Sequence, residues 1–133
     1  MEGIPSGFED LMRDETRAYA YLATIMPDGS PQVTPVWFSV EGEHILVNTA
    51  KGRIKDRNMR ERSQVALVIA DPRDPYRYIQ VRGRVVDIRE DEMRRHFATL
   101  YRKYTGGAAR GARPPDEIRV VHTIKPERIS ADQ

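Results

Sequence analysis

Between residues 44 and 68 the chain reads HILVNTAKGRIKDRNMRERSQVALV, with Lys51, Arg53, Lys55, Arg57, Arg60 and Arg62 crowded between two apolar runs. Lysine and arginine give charge-assisted hydrogen bonds to anionic oxygens, and unpaired N–H groups in the first turn of a helix add a field of the same sign. A strand that ends where a short basic helix begins is thus suited to hold the phosphate of a small molecule at one rim of a sheet. The competing reading is a solvated helix in which Asp56 and Glu61 pair with the cations around them.

Other residues capable of chemistry are sparse. The sequence has no cysteine, which excludes disulfides, thiolate metal sites and cysteine nucleophiles. His44, His96 and His122 lack the spacing of metal ligands. His122 falls on an apolar alternating face and reads as a packed histidine, whereas His96 falls on a charged helix and reads as exposed. No Ser-His-Asp order or nucleophile elbow is visible. The GG and RG pairs at 105–113 lack the strand–loop–helix setting of a dinucleotide fold. Arg110 and Arg113 in that stretch suit either an ordinary loop or an arm over a site. The pairs Tyr19/Tyr21 and Tyr76/Tyr78 read as strand packing, with Tyr78 and Gln80 as weaker candidates for contacts to a ring edge.

These groups must be positioned by a small scaffold. With 133 residues the chain suits one domain spanning 1–133, and a dimer interface would help so short a chain bury enough surface. Net charge is +2 from 22 Lys+Arg and 20 Asp+Glu, too little for whole-molecule attraction to nucleic acid, so the basic residues matter by where they cluster. The same charge-rich, cysteine-free composition is a weak hint of a thermophile. No apolar run is long enough for a membrane helix and the acidic start is unlike a signal peptide, so a cytoplasmic protein is expected.

Ser6 and Glu9 have capping-box spacing, and Phe8, Leu11 and Met12 follow at helical intervals, which predicts a helix over 7–16. Strands are expected at 18–26 and 32–40 around the turn Pro27-Asp28-Gly29-Ser30, then at 44–50 after Glu41-Gly42-Glu43. In the second of these, Val33, Pro35 and Trp37 share one face and Thr34, Val36 and Phe38 the other; which face meets a ligand stays open. The basic loop and helix cover 51–62, followed by a buried strand at 64–70, a loop at 71–75, an alternating strand at 76–88 with Ile79, Val81, Gly83 and Val85 on one face, a helix at 90–104 with Met93, Phe97, Leu100 and Tyr104 at helical spacing, and a last strand at 117–130. Six strands with short hairpins predict a mainly β fold, an antiparallel barrel with peripheral helices.

The ordered segments ATIMPDGSPQVTPVWF, HILVNTAKGRIKDRNMRERSQVALVI, GRVVDI and VVHTIKPERI resemble the pyridoxamine 5′-phosphate oxidase-like split β-barrel superfamily. Within it, the chain is most similar to small actinobacterial-type proteins that use the deazaflavin coenzyme F420. The resemblance covers about residues 18–88 and the last strand. It implies a six-stranded FMN-binding-like split barrel, and a homodimer with flavin or deazaflavin in a groove between the two barrels. Carried over, Thr34, Pro35, Val36 and Trp37 would approach the ring system, and Asn48, Thr49 and Ala50 would flank it. Arg53 and Lys55 would hold the phosphate, with Lys51, Arg57 and Asn58 close by. Pro35 has no N–H and belongs at an edge or bulge, and Trp37 offers a flat surface for a planar ring, though a lone tryptophan also reads as core.

The chain lacks the C-terminal arginine/histidine segment with which the oxidase proper grips its substrate, which argues against pyridoxamine phosphate oxidation. Arg13, Arg17, Arg73 and Arg77 suit either a polyglutamyl tail or an ordinary surface. The expected function is hydride transfer from reduced F420 to an electron-poor enone, quinone or tetrapyrrole-like substrate. The alternatives are an FMN-dependent reductase or oxidase and a non-catalytic cofactor-binding module. No side chain is assigned as catalytic and no metal is expected.

Overall fold

The computed structural model describes residues 1–107 and 117–131. Seven strands form a single antiparallel sheet: β1 (Tyr19–Ile25), β2 (Pro31–Val36), β3 (Phe38–Glu41), β4 (His44–Ala50), β5 (Gln64–Asp71), β6 (Asp74–Glu90) and β7 (Arg119–Ser130). The helices are α1 (Ile54–Glu61) and α2 (Arg95–Thr105). Arg110 and Arg113 lie outside the described residues.

The strand order is β2-β1-β5-β6-β7-β4-β3, so β2 and β3 occupy opposite edges. Yet they are consecutive in the chain and separated only by Trp37. A sheet whose two edges are joined by one residue must roll until those edges meet. The result is a barrel closed by the chain at Trp37, with no ladder between β2 and β3, hence split. The break at Trp37 turns the expected strand 32–40 into two, giving seven strands where six were expected.

The long β6 makes the rolling possible by pairing with β5 along its first half and β7 along its second. Its register against β7 shifts between Arg82 and Gly83 and between Val85 and Asp87; such bulges bend a strand and raise its twist. Gly83 is needed at the bend, since a Cβ there would sit 2.2 Å from the Lys125 carbonyl oxygen. Alternate residues point inward, and Leu22, Phe38, Ile45, Ile69, Ile79, Val81 and Ile124 are buried to within 1% of completely. Each such side chain is worth about 1.5–3 kcal/mol relative to exposure.

Two expected helices differ. The segment 7–16 folds as two single-turn 3-10 helices, Glu9–Met12 and Asp14–Thr16. The capping box does not close: Glu9 Oε1 accepts from the Gly7 N–H at 2.6 Å, not from Ser6. Asp14 and Glu15 would have placed negative charge at the helix C-terminus, against its dipole, and Arg17 ends the segment in the left-handed region at φ 52°. The segment is held by tertiary contacts: Leu11 is fully buried, and Arg77 bonds Asp10 at 2.6 Å. The helix expected from 90 starts at Arg95, because β6 runs on to Glu90 and both Met93 and Arg94 take positive φ. Met93, placed on the apolar face by spacing, is 82% exposed, whereas Phe97 and Leu100 are buried as expected.

Candidate functional site

The acidic residues of the basic segment determine which of its cations are free. Asp56 is buried at the start of α1. It accepts from the Gly52 N–H at 2.8 Å and from Arg60 Nε at 3.0 Å, and one oxygen lies 3.0 Å from His122 Nε2. That approach to His122 is out of line with the ring N–H, leaving both ring nitrogens without a good hydrogen bond. Glu61 is taken by Arg62 at 3.1 Å, and Glu90 lies 3.7 Å from Lys51. Arg53, Lys55 and Arg57 are left without an ion pair among the described residues. Burial first, then the charges of Arg53 and Arg119, push the Lys55 ammonium below the usual lysine range.

Arg53 and Lys55 open onto a cleft of about 520 Å³ between the barrel and α2. Its other lining residues are Tyr19, Pro35, Val36, Trp37, Asn48, Thr49, Phe97, Leu100, Tyr101 and Arg119. The lining is therefore cationic and aromatic, and the two kinds of group meet where Arg119 lies over the Phe97 ring at 4.8 Å. Trp37 stacks on Tyr104 at 5.0 Å between centroids and 9° between planes, lies 6.4 Å from Phe97, and meets Tyr101 edge-on. It is half-buried; the two readings of Trp37 hold together, one part packed on α2 and another lining the cleft.

Thr49 is 2% exposed, yet its Oγ1 has no hydrogen-bond partner among the described residues. A buried, unpaired hydroxyl costs about 1–3 kcal/mol, so one lining a cationic cleft invites a ligand atom. With Arg53, Lys55 and the aromatic wall, it gives a donor set that fits a planar ring carrying a phosphate. A second hollow of about 450 Å³ lies on the outer sheet surface near Ala23, Ala66 and Gly83. Its lining carries Arg82 and Arg128 together with Glu127, which is paired with Arg84 at 2.7 Å.

Of the residues expected at the site, Pro35, Val36, Trp37, Asn48, Thr49, Arg53 and Lys55 line this cleft. The others do not. Asn58 is buried beneath α1, donating to Thr24 Oγ1 at 3.0 Å and Met26 Sδ at 3.3 Å, and so ties the helix to the barrel. Lys51 is held towards Glu90, and Arg57 is exposed outside the cleft. Ala50 is buried opposite Arg119, and Thr34 lies on the half-buried side of β2. Arg77 is committed to Asp10 and Asp71 at 2.6 and 3.0 Å, which takes it from the arginines considered for an acidic tail.

Arg119, Phe97 and Tyr101 were not anticipated. Arg119 alternates with apolar residues in β7, and only the β4–β7 register, which sets it opposite Ala50, brings it beside the basic loop.

The rolled sheet with a cationic, aromatic-walled cleft defines the class of split-barrel proteins. The family model described as pyridoxamine 5′-phosphate oxidase matches residues 10–131, and the chain belongs to this family. A solved structure named F420 Reductase is 35% identical, with TM-score 0.84, over 97% of this chain and 100% of its own. A conserved hypothetical protein from Mycobacterium tuberculosis is 24% identical at TM-score 0.67, over 97% of this chain and 86% of that one. General Stress Protein 26 from Bacillus anthracis is 20% identical at TM-score 0.62, over 90% and 89% of the two chains. The latter two share the fold. No curated protein matches the chain. Family and neighbour together suggest an oxidoreductase of the flavin or deazaflavin kind.

Proposed function

We propose that the protein is an oxidoreductase that binds coenzyme F420 in the cleft between the barrel and α2 and reduces an electron-poor small organic molecule. The observation that carries this reading is the pair Arg53 and Lys55 beside the Thr49 hydroxyl, all three without a partner among the described residues, in a cleft walled by Trp37 and Tyr101. The full-length likeness to a protein named F420 Reductase favours the deazaflavin over FMN.

In this reading Arg53 and Lys55 hold the phosphate, and the first-turn N–H groups of α1 add to the field. Thr49 gives or accepts one hydrogen bond, and Trp37 and Pro35 flank the ring and exclude water from one side. When bound, F420 supplies a hydride from C5 of its reduced ring to an activated double bond of an enone, quinone or tetrapyrrole-like substrate, and solvent supplies the proton that completes the reduction.

The site is completed by a second copy of the chain. The outer surface of β1 and β2 presents Tyr19 and Tyr21, each 44% exposed, and Val33 at 64%. This surface runs into the cleft through Tyr19 and Pro35. A partner seated on it would bury these side chains and wall the open side of the cleft.

Fluorescence titration of the purified protein with F420 and FMN in parallel tests the reading. Micromolar or tighter F420 binding with weak FMN binding is expected; the reverse preference moves the protein to flavin chemistry, and binding of neither removes the proposal. Arg53→Ala with Lys55→Ala should cost about 1.5–3 kcal/mol per charged hydrogen bond lost, and wild-type affinity in that double variant would refute the phosphate seat.

A further inference from the structure

We infer that Arg119 is a third anion-binding cation of the cleft, and that Asn48, His96 and Asp91 are positioning residues that aim its guanidinium. The inference rests on the reading of Arg53 and Lys55 as a phosphate seat. Arg119 lines the same cleft as those two, and its side chain is only 11% exposed. Its Nε donates to Asn48 Oδ1 at 2.9 Å, and the face of Phe97 lies 4.8 Å from its Cζ. Nη1 lies 3.3 Å from Glu117 Oε1. A hydrogen bond at Nε, a carboxylate at Nη1 and a ring against the guanidinium face fix its plane in a way no freely rotating surface arginine shows.

The Asn48 amide has one possible orientation. Arg119 Nε can only donate, so the atom facing it is Oδ1. Asp91 Oδ2 can only accept while ionised, so the atom facing it, at 3.0 Å, is Nδ2. The second hydrogen of Nδ2 then points to His96 Nδ1 at 2.9 Å, which must accept it. His96 is therefore the neutral tautomer with its proton on Nε2, and it donates to Ser39 Oγ at 2.9 Å. Ser39 Oγ thus accepts a hydrogen bond from His96 and is not activated as a nucleophile.

Asp91 has a second task. Its Oδ1 accepts the His96 N–H and its Oδ2 the Phe97 N–H, both at 2.9 Å. One carboxylate holds the amide that aims the arginine and also the start of the helix that lays Phe97 against it. Asn48 has both amide hydrogens and its oxygen engaged within this network, so it serves the cleft through Arg119. Glu117 offsets part of the Arg119 charge, and the repulsion that remains still reaches Lys55. A phosphate reached by Arg53, Lys55 and Arg119 relieves that repulsion on three sides.

The test compares ligands with and without the phosphate: F420 against the phosphate-free deazaflavin that keeps only the ribityl chain, with FMN against riboflavin, which differ by the phosphate alone, in parallel. Arg119→Gln is expected to weaken the phosphorylated ligand about tenfold or more while leaving its phosphate-free counterpart within about twofold. Asn48→Ala should lose part of the same discrimination. If Arg119→Gln does not fold, Arg119→Lys keeps the charge, loses the bond to Asn48 and should give an intermediate loss. Equal weakening of both ligands, or unchanged discrimination, overturns the inference. If Arg53→Ala with Lys55→Ala removes the phosphate preference and Arg119→Gln keeps it, the inference alone fails. If the wild type shows no phosphate preference, the seat and the inference fail together.

Discussion

Asp56 shows how much one buried carboxylate can settle. By holding Gly52, Arg60 and the neighbourhood of His122, it withdraws itself from Arg53 and Lys55, which have no ion pair among the described residues. Interleaved acids usually suggest a self-neutralised helix, and spacing alone could not reveal that this acid faces inward. The packed character of His122 was legible from the apolar alternation of its strand; the exposed reading of His96 was not upheld, because the fold sets it against Ser39 and Asn48. His122 also carries a pH prediction. Burial, opposed by Asp56, holds its folded-state pKa below the ordinary histidine value. As pH falls through about 6.5 the unfolded chain takes up the proton first. Stability is then full above that pH and declines below it until the folded-state pKa is reached. Denaturant unfolding at pH 7.5 and 5.5 should show this decline, and His122→Gln should reduce it, leaving the part carried by His96, whose pKa burial also lowers; an unchanged slope would mean that His122 carries none of it.

Among the elements, β6 was legible in kind and not in extent. Its alternation announces a strand, but its 17 residues exceed the expected span at both ends, and the bulges that bend it leave no mark in polarity. Gly83 was visible as a glycine on the inward face, while its reason, the Lys125 carbonyl against it, belongs to the partner strand. Gly83→Ala should lower stability by about 1–3 kcal/mol, measured by thermal unfolding, as backbone must move to admit the methyl group. A neutral result would show that β7 shifts freely. The 91–94 turn was missed because Met93 has helical spacing, whereas Asp91 is what stops β6 and starts α2.

For the whole molecule, the barrel was legible from hairpin turns and strand count, and its closure through Trp37 was not, since a one-residue link between opposite edges only appears once the ladder order is known. A homodimer built on the outer surface of β1 and β2 makes a further prediction. If the proposed dimer walls the cleft, Tyr21→Glu with Val33→Glu should convert the sedimentation behaviour from dimer to monomer and weaken cofactor binding. A wild type that sediments as a monomer would remove the second copy from the site.

A seam between β2 and β3 also leaves β2 with a free edge, and edges invite other chains to add strands. In a strand, alternate residues turn their N–H groups to the same side, so positions 31, 33 and 35 share one side. Two of these are Pro31 and Pro35, which have no N–H and are tolerated only on the side facing away from a neighbouring strand. Val33 then supplies the one amide donor of these three positions. An incoming strand would find two of these three amide donors missing from its template, so the seam is poorly suited to seeding a growing fibril.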